Sequence, residues 1–217
     1  MPKATFHNLS DEKRERFIGA ALDEFALHDY RSASVSRIVE TLGIAKGSLY
    51  QYFDGKKELY RHLVGIAAQT KFRSIDEALP IDAQAFFERF ERTVFHGAAF
   101  DFSEPRFASI LYNATYEPSP ETVDVSAQLQ NASFQYLRDL VVAGIARGDL
   151  RSDIDVGYAV FALYHLTVSL RDYLTDRFGF SFRDAVRQGS GSPISEHELR
   201  SVIAELVALL RGGLEAR

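Results

Sequence analysis

Lys46, Ser48, Tyr50, Gln51, Tyr52 and Lys56 put ammonium, hydroxyl, phenol and carboxamide donors into one short run of the chain. Groups of these types suit a polyanion with readable edges. Phenols and ammoniums donate to phosphate oxygens and fix register, whereas Lys46 can pair with guanine acceptors and Gln51 can read adenine. Gly47 lets backbone approach a flat partner closely. Lys56 follows Asp54-Gly55 where a new helix should begin, so its ammonium and the free N–H groups there form an anion site. Ser48 and, from the preceding segment, Ser36 are further candidates for base contact. Ser34 reads as a helix cap first and a phosphate donor second. Plainer roles stand beside these: Tyr50 or Tyr52 as half-buried rings closing a small domain, Lys46 and Lys56 as solvated charges. Ile38, Leu49, Phe53 and Leu59 read as core.

The elements that must position these groups are helices. Apolar residues recur at helical spacing nearly everywhere, without a convincing alternating strand pattern. A first helix follows Ser10, with Asp11 and Glu12 in its first turn and Phe17, Ile18, Ala21, Leu22, Phe25 and Ala26 on one face. It should stop near His28-Asp29, where Asp29 can take a left-handed conformation. A second helix starts at the Ser34 cap, turns Val35, Ile38, Val39 and Leu42 inward, and ends at Gly43. The next, from Ala45 to Tyr52, is too short for independent stability and needs Leu49 and Phe53 as anchors. Short helix, tight turn, short helix has the dimensions of a helix-turn-helix. Further helices are expected over 56–79, ended by Pro80, and over 82–99, 105–116, 120–147, 156–178 and 195–212. A flexible loop is expected over 188–193.

Gly43-Ile44-Ala45-Lys46-Gly47-Ser48-Leu49-Tyr50-Gln51-Tyr52-Phe53-Asp54-Gly55-Lys56-Lys57-Glu58-Leu59 resembles the signature of the TetR (tetracycline repressor) family of bacterial regulators. The resemblance runs from about Phe17 to Leu63; beyond it, length, helicity and the loop Gly148–Asp155 agree. Three departures stand out: Asp29 where the family commonly has Gly, Val39 where it has a small Ala, and Ala45 where a Ser often caps the recognition helix. Loss of that cap costs about 1 kcal/mol locally.

The resemblance implies an all-α chain of about nine helices. A three-helix DNA-binding domain would span 8–55 and a larger effector-binding and dimerisation domain 56–217, with the helix from 56 to about 79 shared as connector. It implies a homodimer on double-stranded DNA, with recognition helices about 34 Å apart over a palindromic operator. The last two long helices would form the dimer interface, through Leu166, Leu170 and Tyr173 of one and Val202, Leu206, Leu209 and Leu210 of the other. Repression is the default sign of regulation, and effector binding would move the shared helix and with it Lys56.

The body is rich in aromatic residues, most of which must be ordinary core. A pocket among them would favour a small apolar or aromatic effector. Its candidate walls are Phe90, Phe107 and Phe134, with Tyr112, Asn113, Tyr136 and His165 as polar groups.

Charge and composition narrow the classes further. Residues 1–62 carry ten basic against nine acidic residues, net +1, while 63–217 carry fifteen against twenty-one, net −6. The first segment can approach phosphate and the second need not. The absence of cysteine removes thiolate, disulfide and cysteine-ligated metal chemistry. The six histidines show no metal-ligand spacing, and neither a nucleophile elbow nor a phosphate-binding glycine loop is present. No enzyme activity, cofactor or metal is therefore expected. No stretch reaches the roughly 18 apolar residues of a membrane span and Met1–Phe6 is no secretory signal, so no membrane partner and a cytoplasmic location are expected. The competing class is a protein of the same fold that binds DNA or a partner without a small-molecule switch.

Overall fold

Ser34 and Gly43 bracket eight residues in the sequence, and the computed structural model forms a helix between them. The Ser34 hydroxyl accepts from the Arg37 N–H at 3.4 Å. Gly43 ends the helix at φ 68°, a left-handed conformation that strains residues bearing a side chain. The structure describes residues 2–79, 85–117, 119–189 and 194–214. Over them run α1 (Ala4–His7), α2 (Asp11–Leu27), α3 (Val35–Leu42), α4 (Gly47–Tyr52), α5 (Lys56–Ala78), α6 (Phe86–Ser103), α7 (Pro105–Tyr116), α8 (Val123–Arg147), α9 (Val156–Phe178), α10 (Phe182–Gln188) and α11 (Glu196–Leu214). The fold is all-α, with no strand among the described residues. Nine of the eleven helices match those expected; α1 and α10 are additional, each too short to show a periodic apolar face.

Several ends differ in detail from expectation. Ser10 precedes α2 but makes no side-chain cap bond. Asp29 is not left-handed, since every described residue at positive φ is a glycine. Instead, the Asp29 carboxylate accepts from the Ser32 N–H at 2.7 Å and from the Ser32 hydroxyl, building the turn through its side chain. α8 starts at Val123, after a turn in which Ser119 and Thr122 bond each other. α11 is opened by Ser195 and Glu198, each accepting from the other's backbone N–H, a capping box. The helix start expected at Asp82, the Pro80 stop and the 190–193 part of the expected loop lie outside the described residues.

The chain forms two compact units. The first comprises Met1–Thr70, Glu104–Leu129 and Phe182–Ser190; the second comprises Lys71–Ser103, Gln130–Ser181 and Gly191–Arg217. The helix-turn-helix thus shares a unit with α7 and α10. One core cluster joins Phe6, Phe17, Leu22, Phe25, Ile38, Leu49, Phe53, Leu59 and Leu63 to Ile110 and Ala114 of α7. Phe17 stacks on Phe53 at 5.9 Å, and Phe6 meets Phe53 at 4.9 Å. Burial of each such ring stabilises the unit by roughly 1.5–3 kcal/mol.

In the second unit α6 packs against α11, and the guanidiniums of Arg200 and Arg211 lie over the rings of Phe95 and Phe87 at 3.9 and 4.6 Å. The loop after α8 helps to position α6: the Asp149 carboxylate accepts from the Phe86 N–H at 2.9 Å. Gly144 is required for the close approach of α6, because a Cβ there would lie 3.0 Å from the Phe86 ring.

Candidate nucleic-acid interface

α4 is held by two residues on one side. Leu49 and Phe53 are fully buried, while Lys46, Gly47, Tyr50 and Gln51 are exposed. Tyr50 is 54% exposed and free to meet a partner. Ser34, Ser36 and Ser48 are half-buried. Tyr52 takes the plainer role in part, its ring edge-on to Phe17 at 5.5 Å. The α4 N-terminus has no side-chain cap, consistent with Ala45 at that turn.

Lys56 is less free than the sequence suggests. Its Nζ donates to the Arg31 carbonyl at 3.2 Å and lies 4.7 Å over the Tyr30 ring. Burial pushes its ammonium below the ordinary lysine value, with Asp29 and Glu24 pulling it back up. An ammonium has three N–H donors, so the bond to Arg31 leaves two for an anion. Tyr30 and Arg31 orient this group across a sequence separation of 25, and no local pattern announces them.

The start of α3 is fixed from α2. The buried Glu24 carboxylate accepts from the Ser34 N–H at 2.6 Å and from Arg37 Nε at 3.0 Å. Burial raises the Glu24 pKa, but these bonds outweigh it and leave the pKa below the ordinary carboxylate value. The Arg37 guanidinium also donates to the Ser32 carbonyl at 2.8 Å. Beyond Lys56, the next cations of α5 are engaged: Lys57 and Arg61 meet the Asp124 carboxylate at 2.9 and 2.5 Å. Hydrogen bonds from Lys57 and then Arg61 hold the Asp124 pKa down to about 2.

Residues 3–5, which carry no sequence signal, sit against the other end of α4. Lys3 N–H donates to the Tyr52 carbonyl at 2.8 Å and Lys3 Nζ to the Tyr50 carbonyl at 2.9 Å; the Thr5 hydroxyl donates to the Gln51 carbonyl.

The effector candidates fall in both units. Phe107, Tyr112 and Asn113 belong to the first, where Asn113 Nδ2 donates to the Phe25 carbonyl at 3.3 Å. Phe90, Phe134, Tyr136 and His165 belong to the second. There Phe90 is fully buried, Phe134 stacks on Tyr164 at 4.6 Å, the Tyr136 hydroxyl bonds Thr93 at 2.9 Å, and His165 is exposed beside Phe161. A cleft of about 30 Å³ in this unit is lined by Glu91, Arg92, Phe95, Arg200 and Ile203. It is of the size of one or two waters and includes none of the candidates. Among the interface candidates, Leu166, Tyr173 and Leu209 are exposed, Leu206 and Leu210 half-buried, and Leu170 and Val202 buried within the unit. Among the described residues, no group of three or more His, Asp or Glu could hold a metal ion, and no helix is long and apolar enough to cross a membrane.

A helix-turn-helix with a polar, exposed second helix, followed in the chain by a larger helical region, defines a DNA-binding regulator of the helix-turn-helix class. The model of bacterial regulatory proteins of the tetR family matches residues 17–63, and that of the tetracyclin repressor-like C-terminal domain matches 84–215. The chain belongs to the TetR family of transcriptional regulators. The crystal structure of a TetR family transcriptional regulator from Chloroflexus aurantiacus J-10-FL is 36% identical with a TM-score of 0.83, covering 100% of both chains. The HTH-type transcriptional repressor KstR2 of Rhodococcus jostii is 26% identical over 68% of this chain and 72% of its own length. The HTH-type transcriptional regulator YdgC of Bacillus subtilis is 31% identical over 33% of this chain and 36% of its own length.

Proposed function

We propose that this protein is a sequence-specific transcriptional repressor that binds a palindromic double-stranded operator as a homodimer and is released by a small, largely apolar or aromatic effector. The observation that carries this reading is the face of α4, where Lys46, Gly47, Tyr50 and Gln51 are exposed together while Leu49 and Phe53 hold the helix from behind. Lys46, Ser48 and Gln51, with Ser36, read base edges; Tyr50, Tyr52, Lys56 and Ser34 meet phosphates. The relative KstR2 is a repressor by name, which supports the sign of regulation. Domains 8–55 and 56–217 divide the work, α5 links them, and the protein acts in the cytoplasm, where DNA is found.

Self-association is supported by α9, whose outward face carries exposed Tyr158, Phe161, Leu166 and Tyr173, with Leu209 of α11 also exposed. Exposed apolar side chains in such number mark an interaction surface. The effector's character rests on the aromatic content of the larger region. One observation favours the second reading, a binder without a small-molecule switch: all six phenylalanines of α6 are buried in packing.

The test is selection of bound sequences from a random duplex library by the purified protein at near-physiological salt. Recovery of a palindrome is the expected result; recovery of nothing above background overturns the proposal.

A further inference from the structure

We propose that the segment before α2 is the C-terminal cap of the recognition helix, and that Lys3 is a positioning residue for sequence reading; the proposal rests on the DNA-reading role of α4 given above. A helix leaves its last carbonyls without partners, and α4 has only six residues. The Leu49 carbonyl is taken by the Phe53 N–H at 2.8 Å. The next three are each taken from outside: Tyr50 by Lys3 Nζ at 2.9 Å, Gln51 by the Thr5 hydroxyl, Tyr52 by the Lys3 N–H at 2.8 Å. Lys3 Nζ also pairs with the Asp54 carboxylate at 2.8 Å, just past the helix. Its positive charge therefore stands at the negative end of the α4 dipole.

Phe6 keeps the segment in place. It is 1% exposed, with its ring 5.9 Å from Tyr52, 4.9 Å from Phe53 and 5.8 Å from His62. The opposite end of α4 has no side-chain cap. A helix this short has little stability of its own, so the end that is capped sets the direction in which Lys46 and Gln51 point. Base-edge contacts need a fixed direction, whereas attraction to phosphate tolerates a loose one. Two of the Lys3 ammonium's three donors are engaged by Tyr50 and Asp54, which separates it from a lysine held out for DNA.

The full-length variants Lys3→Met, Lys3→Arg and Thr5→Val test this in two ways. Hydrogen exchange without DNA should show the amides of Gln51, Tyr52 and Phe53 exchanging about tenfold faster in Lys3→Met, and less so in Thr5→Val, with α3 unchanged. Binding is then compared on a duplex selected by the wild type and on a scrambled duplex of equal length, across salt concentrations. Lys3→Met should lose about tenfold on the selected duplex and less than about twofold on the scrambled one, with the salt slope unchanged. Lys3→Arg should restore most of the loss. Unchanged exchange overturns the cap. Altered exchange with unaltered discrimination overturns the positioning role. Equal loss on both duplexes with a salt slope lower by about one makes Lys3 a phosphate contact and overturns the proposal. A wild type that selects no duplex overturns both the DNA-reading role of α4 and the positioning role resting on it; exchange would then decide the cap alone.

Discussion

The outward faces of α4 and α9 differ in chemistry although both are helices with exposed aromatics. α4 shows Lys46, Gly47, Tyr50 and Gln51, so its single exposed ring stands among polar groups. α9 shows Tyr158, Phe161, Leu166 and Tyr173 beside exposed His165, Ser169, Asp172, Asp176 and Arg177, so its surface carries large apolar side chains in a number that α4 lacks. A polar face desolvates favourably only against a partner that returns its hydrogen bonds, and nucleic acid does so. A carbon-rich face gains by leaving water against another such face. An exposed aromatic thus takes its meaning from its neighbours.

Four substitutions and one titration would break or sharpen this contrast. Phe53→Ala should have the largest effect, removing about 3–5 kcal/mol of stability by opening a cavity between Phe6 and Phe17. Thermal unfolding should show it, and α4 should lose its anchor, so that the polar face ceases to exist as a surface. Leu166→Glu should leave unfolding of the monomer nearly unchanged yet weaken self-association by about 30-fold or more, read by sedimentation. An unchanged association constant would make the α9 face a bystander.

On the α4 side, Gln51→Ala should lower affinity for the selected operator by about 1–3 kcal/mol and relax preference at one base position. Lys56→Ala should weaken binding to every duplex by a smaller factor and lower the salt slope by about one, as the loss of the proposed phosphate contact requires. If Lys56→Ala changed sequence preference instead, the division between reading and anchoring would be wrong.

The smallest effect is a pH dependence in the first unit. Burial between the rings of Phe6 and Phe53, and then repulsion from His7, lower the His62 pKa from its ordinary 6.5. The unfolded chain therefore binds the proton more readily than the folded one. The stability contributed by neutral His62 is complete above about pH 6.5 and is lost as pH falls below it through the folded value. The wild type should lose melting temperature relative to His62→Leu over that range, and parallel curves would remove His62 from the account.

The sequence by itself determined nine of the eleven helices, the Ser34 cap, the Gly43 stop and the motif from Gly43 to Leu59, because caps, turns and apolar periodicity are local. It also marked Leu49 and Phe53 as the anchors of the short helix and Lys46 and Gln51 as candidates for base contact, since residue type and local spacing are enough for that. Tertiary structure decided what depends on distant partners. Asp29 turns the chain through Ser32 rather than through its own backbone, Lys56 rests on Tyr30 and Arg31, and Leu170 and Val202 are buried while Leu166 and Leu209 are not. The bonds from Lys3 and Thr5 to α4 belong to the same group, across 46 and 47 positions. Periodicity says that a helix has an apolar side, but several apolar stripes compete for one interior. Only packing settles which of them is covered, and which polar group a carbonyl meets when its helix ends.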